Sequence, residues 1–110
     1  MMKEMESVSP EELARQLQMG EALRLIDVRE ADEWALNRLP GAEHIPLAEV
    51  PEKLVASVRP DERVVVYCHH GVRSAHAQAW LLNQGFRNVV NLEGGIDAWA
   101  ARVDPTMVRY

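Results

Sequence analysis

Cysteine, phenylalanine and positive charge are the scarcities of this chain. A single cysteine in 110 residues excludes an internal disulfide and any dithiol redox pair, and it fits a reducing compartment. Any oxidised or sulfur-loaded form of that thiol must therefore be resolved by an external molecule. Lys and Arg number 12 against 17 Asp and Glu, a formal net charge of -5, which argues against nucleic acid or an anionic membrane as the main partner. No stretch approaches the roughly 20 apolar residues of a membrane span. The start of the chain, Met1-Met2-Lys3-Glu4-Met5-Glu6, carries charges where a signal peptide needs an apolar core, so the cytoplasm is the expected location. Repeats, low-complexity tracts and linkers are also missing. Residues 1–110 read as one domain, large enough for a single core.

Hydrophobic residues make up 47% of the chain, and their pattern alternates between two periods. Ser9-Pro10-Glu11-Glu12 reads as a helix start, with Ser9 as N-cap, Pro10 in the first turn and Glu12 closing a capping box. Leu13, Ala14 and Leu17 supply the apolar face of that helix, and Gly20 its exit. Leu23 to Val28 reads as a buried strand, Ala31 to Leu36 as a short helix ended by Pro40-Gly41, and Ala42 to Ile45 as an edge strand ended by Pro46. Helical spacing follows over Glu52 to Val58. Arg63 to Tyr67 is the central strand, Ser74 to Gln84 a helix closed by Gly85, and Asn88 to Leu92 another strand. Gly94-Gly95 opens a last helix through Trp99. Strands alternating with helices predict an α/β sheet with parallel neighbours. Ligands of such sheets bind beyond the carboxyl ends of the strands.

Cys68 lies at such an end. The β-branched run Val64-Val65-Val66-Tyr67 leads into it, and the helix beginning near Ser74 follows closely. Backbone N–H groups at a strand-to-helix loop form a concave site for anions. Such a field favours thiolate over thiol, and Arg73 adds a full positive charge at the loop's exit, where it is expected to attract an anionic donor. Within Cys68-His69-His70-Gly71-Val72-Arg73-Ser74, Gly71 allows positive φ or close backbone approach. Ser74 is an N-cap or a donor toward the loop, and His69 and His70 either tune charge with pH or merely line the rim. A lone cysteine is often an inert core residue. Its place at the mouth of this loop favours a nucleophile. Trp34, Trp80 and Trp99 read as packing residues.

Four segments together resemble the single-domain rhodaneses, a family of sulfurtransferase modules. They are Leu25-Ile26-Asp27-Val28-Arg29-Glu30; Glu33-Trp34 with Leu39-Pro40-Gly41-Ala42 and Ile45-Pro46-Leu47; Cys68 to Ser74; and Gly94-Gly95-Ile96-Asp97-Ala98-Trp99. The resemblance covers nearly the whole chain. It implies a three-layer α/β domain with a central, mostly parallel five-stranded sheet flanked by helices. Asp27 and Arg29 would then brace the loop from the neighbouring strand end. One departure stands out: the usual Gly-His-Ile before Pro-Gly is Asn37-Arg38-Leu39 here, which is expected to change the local turn or the rim of the site. Residues Val103 to Tyr110 resemble the tail of rhodanese domains fused to adenylyltransferases of molybdopterin and thiamin biosynthesis, and so point to a sulfur-carrier pathway.

The implied cycle has two nucleophilic steps. Cys68 takes sulfane sulfur from a small anionic donor such as thiosulfate, and the persulfide, cradled by N–H groups from His69 through Arg73, passes it to cyanide, a thiol or a protein acceptor. A protein sulfur donor is equally compatible. No metal or organic cofactor is needed. Three rival readings remain beside it. A cysteine-dependent phosphatase needs five residues between Cys and Arg, whereas His69, His70, Gly71 and Val72 make four. A non-catalytic binding module would have no use for Cys68. A metal site on Cys68, His69 and His70 with His76 or His44 would put adjacent ligands on one tight loop, a poor match to tetrahedral zinc.

Overall fold

The computed structural model describes residues 5–110. Five short strands, β1 (Ser7–Val8), β2 (Arg24–Asp27), β3 (Glu43–His44), β4 (Val64–Tyr67) and β5 (Val89–Leu92), form one sheet in the order β1-β5-β4-β2-β3. Every pairing is parallel. Four helices, α1 (Pro10–Gln18), α2 (Ala31–Leu36), α3 (Val72–Asn83) and α4 (Gly95–Arg102), connect or follow the strands.

Two cores result, one on each face. Side chains alternate along a strand, so Val64, Val66 and Cys68 face α3 with Ile26, Val89, Ala77 and Leu81. Val65 and Tyr67 turn the other way and pack with Leu25, Val90 and Leu92 against Leu13 of α1 and Ile96 and Trp99 of α4. Burial on both faces explains why β4 is apolar at every position rather than at every second one.

The structure corrects several local expectations. Ser9 caps α1 by accepting the Glu12 N–H at 3.1 Å, but the Glu12 carboxylate turns to Arg15 (2.7 and 2.8 Å) instead of closing a capping box. The segment expected as a helix over 52–58 is instead the end of a π turn (Val50–Leu54), which follows a 3-10 turn (Leu47–Glu49), and then an irregular turn over 55–57. Pro51 stands in the first turn of the π segment, where a missing N–H is tolerated, and Val50 and Leu54 reach the core. The two-residue β1 shows no periodicity in sequence. It exists because Val8 packs beneath the sheet while Asn91 and Glu93 donate to the carbonyls of Glu6 and Val8.

Candidate functional site

Cys68 follows β4 directly and is 1% exposed. The chain then turns at Gly71, whose φ is +105°. A Cβ there would meet nothing closer than 3.7 Å, so the left-handed backbone, not lack of space, calls for glycine. The turn folds the start of α3 over the sulfur. Gly71 N–H lies 3.1 Å from Cys68 Sγ, Ser74 N–H 3.4 Å and Ser74 Oγ 3.3 Å. Among the described residues, the N–H groups of His69, His70, Val72 and Arg73 find no acceptor. The positive end of a 12-residue helix therefore remains available to an anion at the loop.

The loop rests on α4. Ile96 and Asp97 donate their N–H groups to the carbonyls of Cys68 (2.9 Å) and His69 (3.1 Å). That approach is possible only because residue 95 is glycine: a Cβ on Gly95 would stand 2.3 Å from the His69 carbonyl oxygen and 2.6 Å from that of Cys68. On the other side, Asn91 of β5 receives Ser74 Oγ at 2.6 Å on its Oδ1 and donates Nδ2 to the Gly71 carbonyl at 3.0 Å.

Arg73 departs from the sequence expectation. Its guanidinium closes on Glu33 of α2 at 2.6 and 2.9 Å, so most of its charge is matched within the protein rather than held out to a donor. The Arg73 hydrogen bonds keep the Glu33 carboxyl down at about 2 despite partial burial, with help from Tyr110. Asp27 and Arg29 also do something other than brace the loop directly. They form a fully buried pair (2.7 Å), and Arg29 extends to Asn37 Oδ1 and carbonyl and to the Tyr110 hydroxyl. Tyr110 in turn donates to Glu33 (2.6 Å) and stacks on His69, with ring centroids 3.9 Å apart. The strand-end pair thus reaches the loop through the tail.

His69 lies under Tyr110 with its Nε2 buried and, among the described residues, unpartnered; burial, then the neighbouring His70, pushes its pKa down. His70 is exposed, 3.7 Å from Asp97. Of the proposed metal ligands only His69 and His70 come together, and with Asp97 rather than with Cys68, His44 or His76. Arg109 already occupies both Asp97 oxygens (3.0 and 3.1 Å).

A family model described as the rhodanese-like domain matches residues 9–102. The chain belongs to this family. It is 41% identical to the adenylyltransferase/sulfurtransferase-named MoeZ of Mycobacterium tuberculosis over 94% of this chain, yet spans only 27% of that protein. The sulfurtransferase-named YtwF of Bacillus subtilis is 37% identical, the match covering 93% of this chain and 97% of YtwF. A solved rhodanese-like domain protein of Staphylococcus aureus superimposes with a TM-score of 0.81 at 32% identity, covering 96% of this chain and 99% of its own.

Within this rhodanese-like frame the departure at Asn37 gains a physical reason. Its Oδ1 accepts from Arg29 while its Nδ2 donates to the Val108 carbonyl at 2.6 Å, so the side chain ties the buried pair to the tail. Arg38 lies over the Trp34 ring, 4.0 Å from its centroid. Sequence reasoning assigned no role to Glu33, Asn91 or Tyr110. Asn91 stands out locally as an amide inside an otherwise apolar strand, where Asn is disfavoured.

Proposed function

We propose that the protein is a sulfurtransferase in which Cys68 carries sulfane sulfur as a persulfide. The observation that carries this reading is the set of donors on Cys68 Sγ at the start of α3: Gly71 N–H, Ser74 N–H and the Ser74 hydroxyl. Donors fixed by the fold stabilise an anionic sulfur without reorganising, and a comparable oxyanion-hole donor is worth about 3 kcal/mol. The Cys68 thiolate attacks the outer sulfur of thiosulfate. The S–S bond of the donor breaks, its electron pair leaves with sulfite, and Cys68-S-S⁻ forms. A thiophilic acceptor then attacks the outer sulfur, and the pair from the broken S–S bond restores the thiolate. Cyanide departs as thiocyanate, and a thiol as a persulfide.

The half-buried rim suits a small anion or the extended end of a protein. The likeness to MoeZ and the tail favour a sulfur-carrier protein as the acceptor in the cell. This reading takes residues 1–110 as one domain and requires no metal or organic cofactor. The four-residue spacing of Cys68 and Arg73, with Arg73 engaged by Glu33, favours sulfur over a tetrahedral phosphoryl group.

Intact mass under non-reducing conditions tests the proposal. Thiosulfate is expected to add the mass of one sulfur, about 32 Da for a persulfide, and cyanide to remove it with release of thiocyanate. Cys68→Ser is expected to gain nothing. An unchanged mass in the wild type with both thiosulfate and polysulfide would overturn sulfur transfer and leave a binding module.

A further inference from the structure

The Ser74 hydroxyl has one proton and two acceptors. Asn91 Oδ1 is 2.6 Å from Ser74 Oγ and Cys68 Sγ is 3.3 Å from it, so the two compete for one O–H. The orientation of the Asn91 amide is fixed, because its Nδ2 donates to the Gly71 carbonyl at 3.0 Å. That leaves Oδ1 as the atom facing Ser74. Ser74 itself is fully buried, so water does not offer its hydroxyl a third partner at no cost.

We infer that Asn91 is a positioning residue that acts through Ser74 to hold a hydroxyl proton off the Cys68 sulfur until that sulfur carries charge. In the thiol state the Cys68 S–H points to Ser74 Oγ, and the Ser74 O–H points to Asn91. When the proton leaves Cys68, or the outer sulfur of a persulfide departs and leaves the thiolate, the Ser74 O–H turns to the Cys68 sulfur and Asn91 Oδ1 gives up its donor. Asn91 therefore weakens the third hydrogen bond to the anionic sulfur. The consequence for sulfur transfer, on the reading proposed above, is a Cys68 thiolate that leaves less readily when an acceptor takes the outer sulfur. Nothing in this exchange requires a further reactant, since one proton rotates between two existing acceptors.

The sign of the effect distinguishes this role from simple support of the loop. Asn91→Leu keeps the volume but removes the competing acceptor, and the Gly71 carbonyl retains the Ala75 N–H at 3.2 Å. The Ser74 proton is then left with the sulfur. The pH midpoint for alkylation of Cys68 by iodoacetamide is expected to fall by about half a unit to one unit, the range set by one neutral hydrogen bond. Discharge of the loaded protein by cyanide, which expels the Cys68 thiolate, is expected to quicken by no more than about three- to tenfold, because a thiolate of lower pKa is the better leaving group.

Ser74→Ala is expected to move both readouts the opposite way, and the double variant to match Ser74→Ala alone. Loosening of the loop would move Asn91→Leu and Ser74→Ala in the same direction, and that result would overturn the inference. So would an additive double variant, or an unchanged alkylation profile in a folded Asn91→Leu. Asn91→Ala, with the same expected sign, serves if the leucine variant does not fold. Alkylation reads the resting thiol and needs no sulfur donor. Failure of thiosulfate and polysulfide to load the wild type would refute sulfur transfer, while the alkylation profiles would still decide the role of Asn91.

Discussion

Gly95→Ala should damage the site from below, and the structure sets the size of the effect. Residue 95 has φ of +63°, a conformation that costs an L-residue roughly 1–2 kcal/mol. The added Cβ would also lie 2.3 Å from the His69 carbonyl oxygen and 2.6 Å from that of Cys68. Both are backbone atoms that no rotamer change can move aside. The first turn of α4 must withdraw, stretching or breaking the bonds from Ile96 and Asp97 to those two carbonyls. Two such bonds are worth about 1–3 kcal/mol together. Gly85→Ala isolates the backbone part, since φ there is +98° and a Cβ would meet nothing within 4 Å. Thermal unfolding followed by circular dichroism is expected to show both variants destabilised. Gly95→Ala should melt lower than Gly85→Ala by roughly 5–20 °C, at about 4–8 °C per kcal/mol for a domain near this size. The folded Gly95→Ala protein should also load less sulfur, because its Cys68 loop has lost its floor. Equal melting temperatures in the two variants would refute the claim that α4 carries the loop through a glycine-only approach.

Two further outcomes follow from the charges around the tail. Asp27→Asn leaves Arg29 buried without its counter-ion, and removing one partner of such a pair is expected to cost about 3–5 kcal/mol in urea unfolding. A loss no greater than that from breaking the exposed Arg15–Glu12 pair would sink the idea that this pair organises the strand end. Glu33 gives a pH signature. Its carboxyl is held at about 2 in the folded protein, below its ordinary value of 4.5. The lowered folded value means that the stability from the Glu33–Arg73 and Glu33–Tyr110 contacts is complete above about pH 4.5 and lost as pH falls toward about 2. The gap in melting temperature between wild type and Glu33→Gln should therefore close over that interval. A gap that stays constant down to about pH 2 would contradict the assignment.

Strand β4 and the Cys68 loop were legible in the sequence because local physics dictates both. A β-branched run reads as a strand, a glycine before a helix reads as a turn, and the thiol lies between them. The regular helix α1 was legible through its capping residue Ser9 and its apolar spacing, and α3 through its apolar spacing alone, since it starts at Val72 with Gly71 as N-cap rather than at Ser74. The turns over 47–58 were not, because Leu54 and Val58 are buried while Val55 is exposed, from a backbone that is a π turn and then an irregular turn rather than a helix. Periodicity records which residues are apolar, and here two geometries bury the same pair.

The partners of the site were hidden for a different reason. Glu33 meets Arg73 across 40 positions and Tyr110 across 77, and Arg29 meets Tyr110 across 81. Such distances close only once the sheet order brings the ends of β2 and β4 together. Arg73 illustrates the consequence: read locally it is a free cation beside a thiol, and read in the fold it is the partner of a carboxylate from α2. On the proposed function, attraction of an anionic donor would then fall to the N–H groups of the loop, whose charge is partial but fixed in place. Asn91 is the intermediate case. An amide where the strand pattern asks for a branched apolar side chain is a local anomaly, and only the sheet order shows that β5 sets it beside Ser74. A polar residue breaking the pattern of a buried strand next to a suspected nucleophile is therefore a local sequence signal that leads from the loop to Asn91.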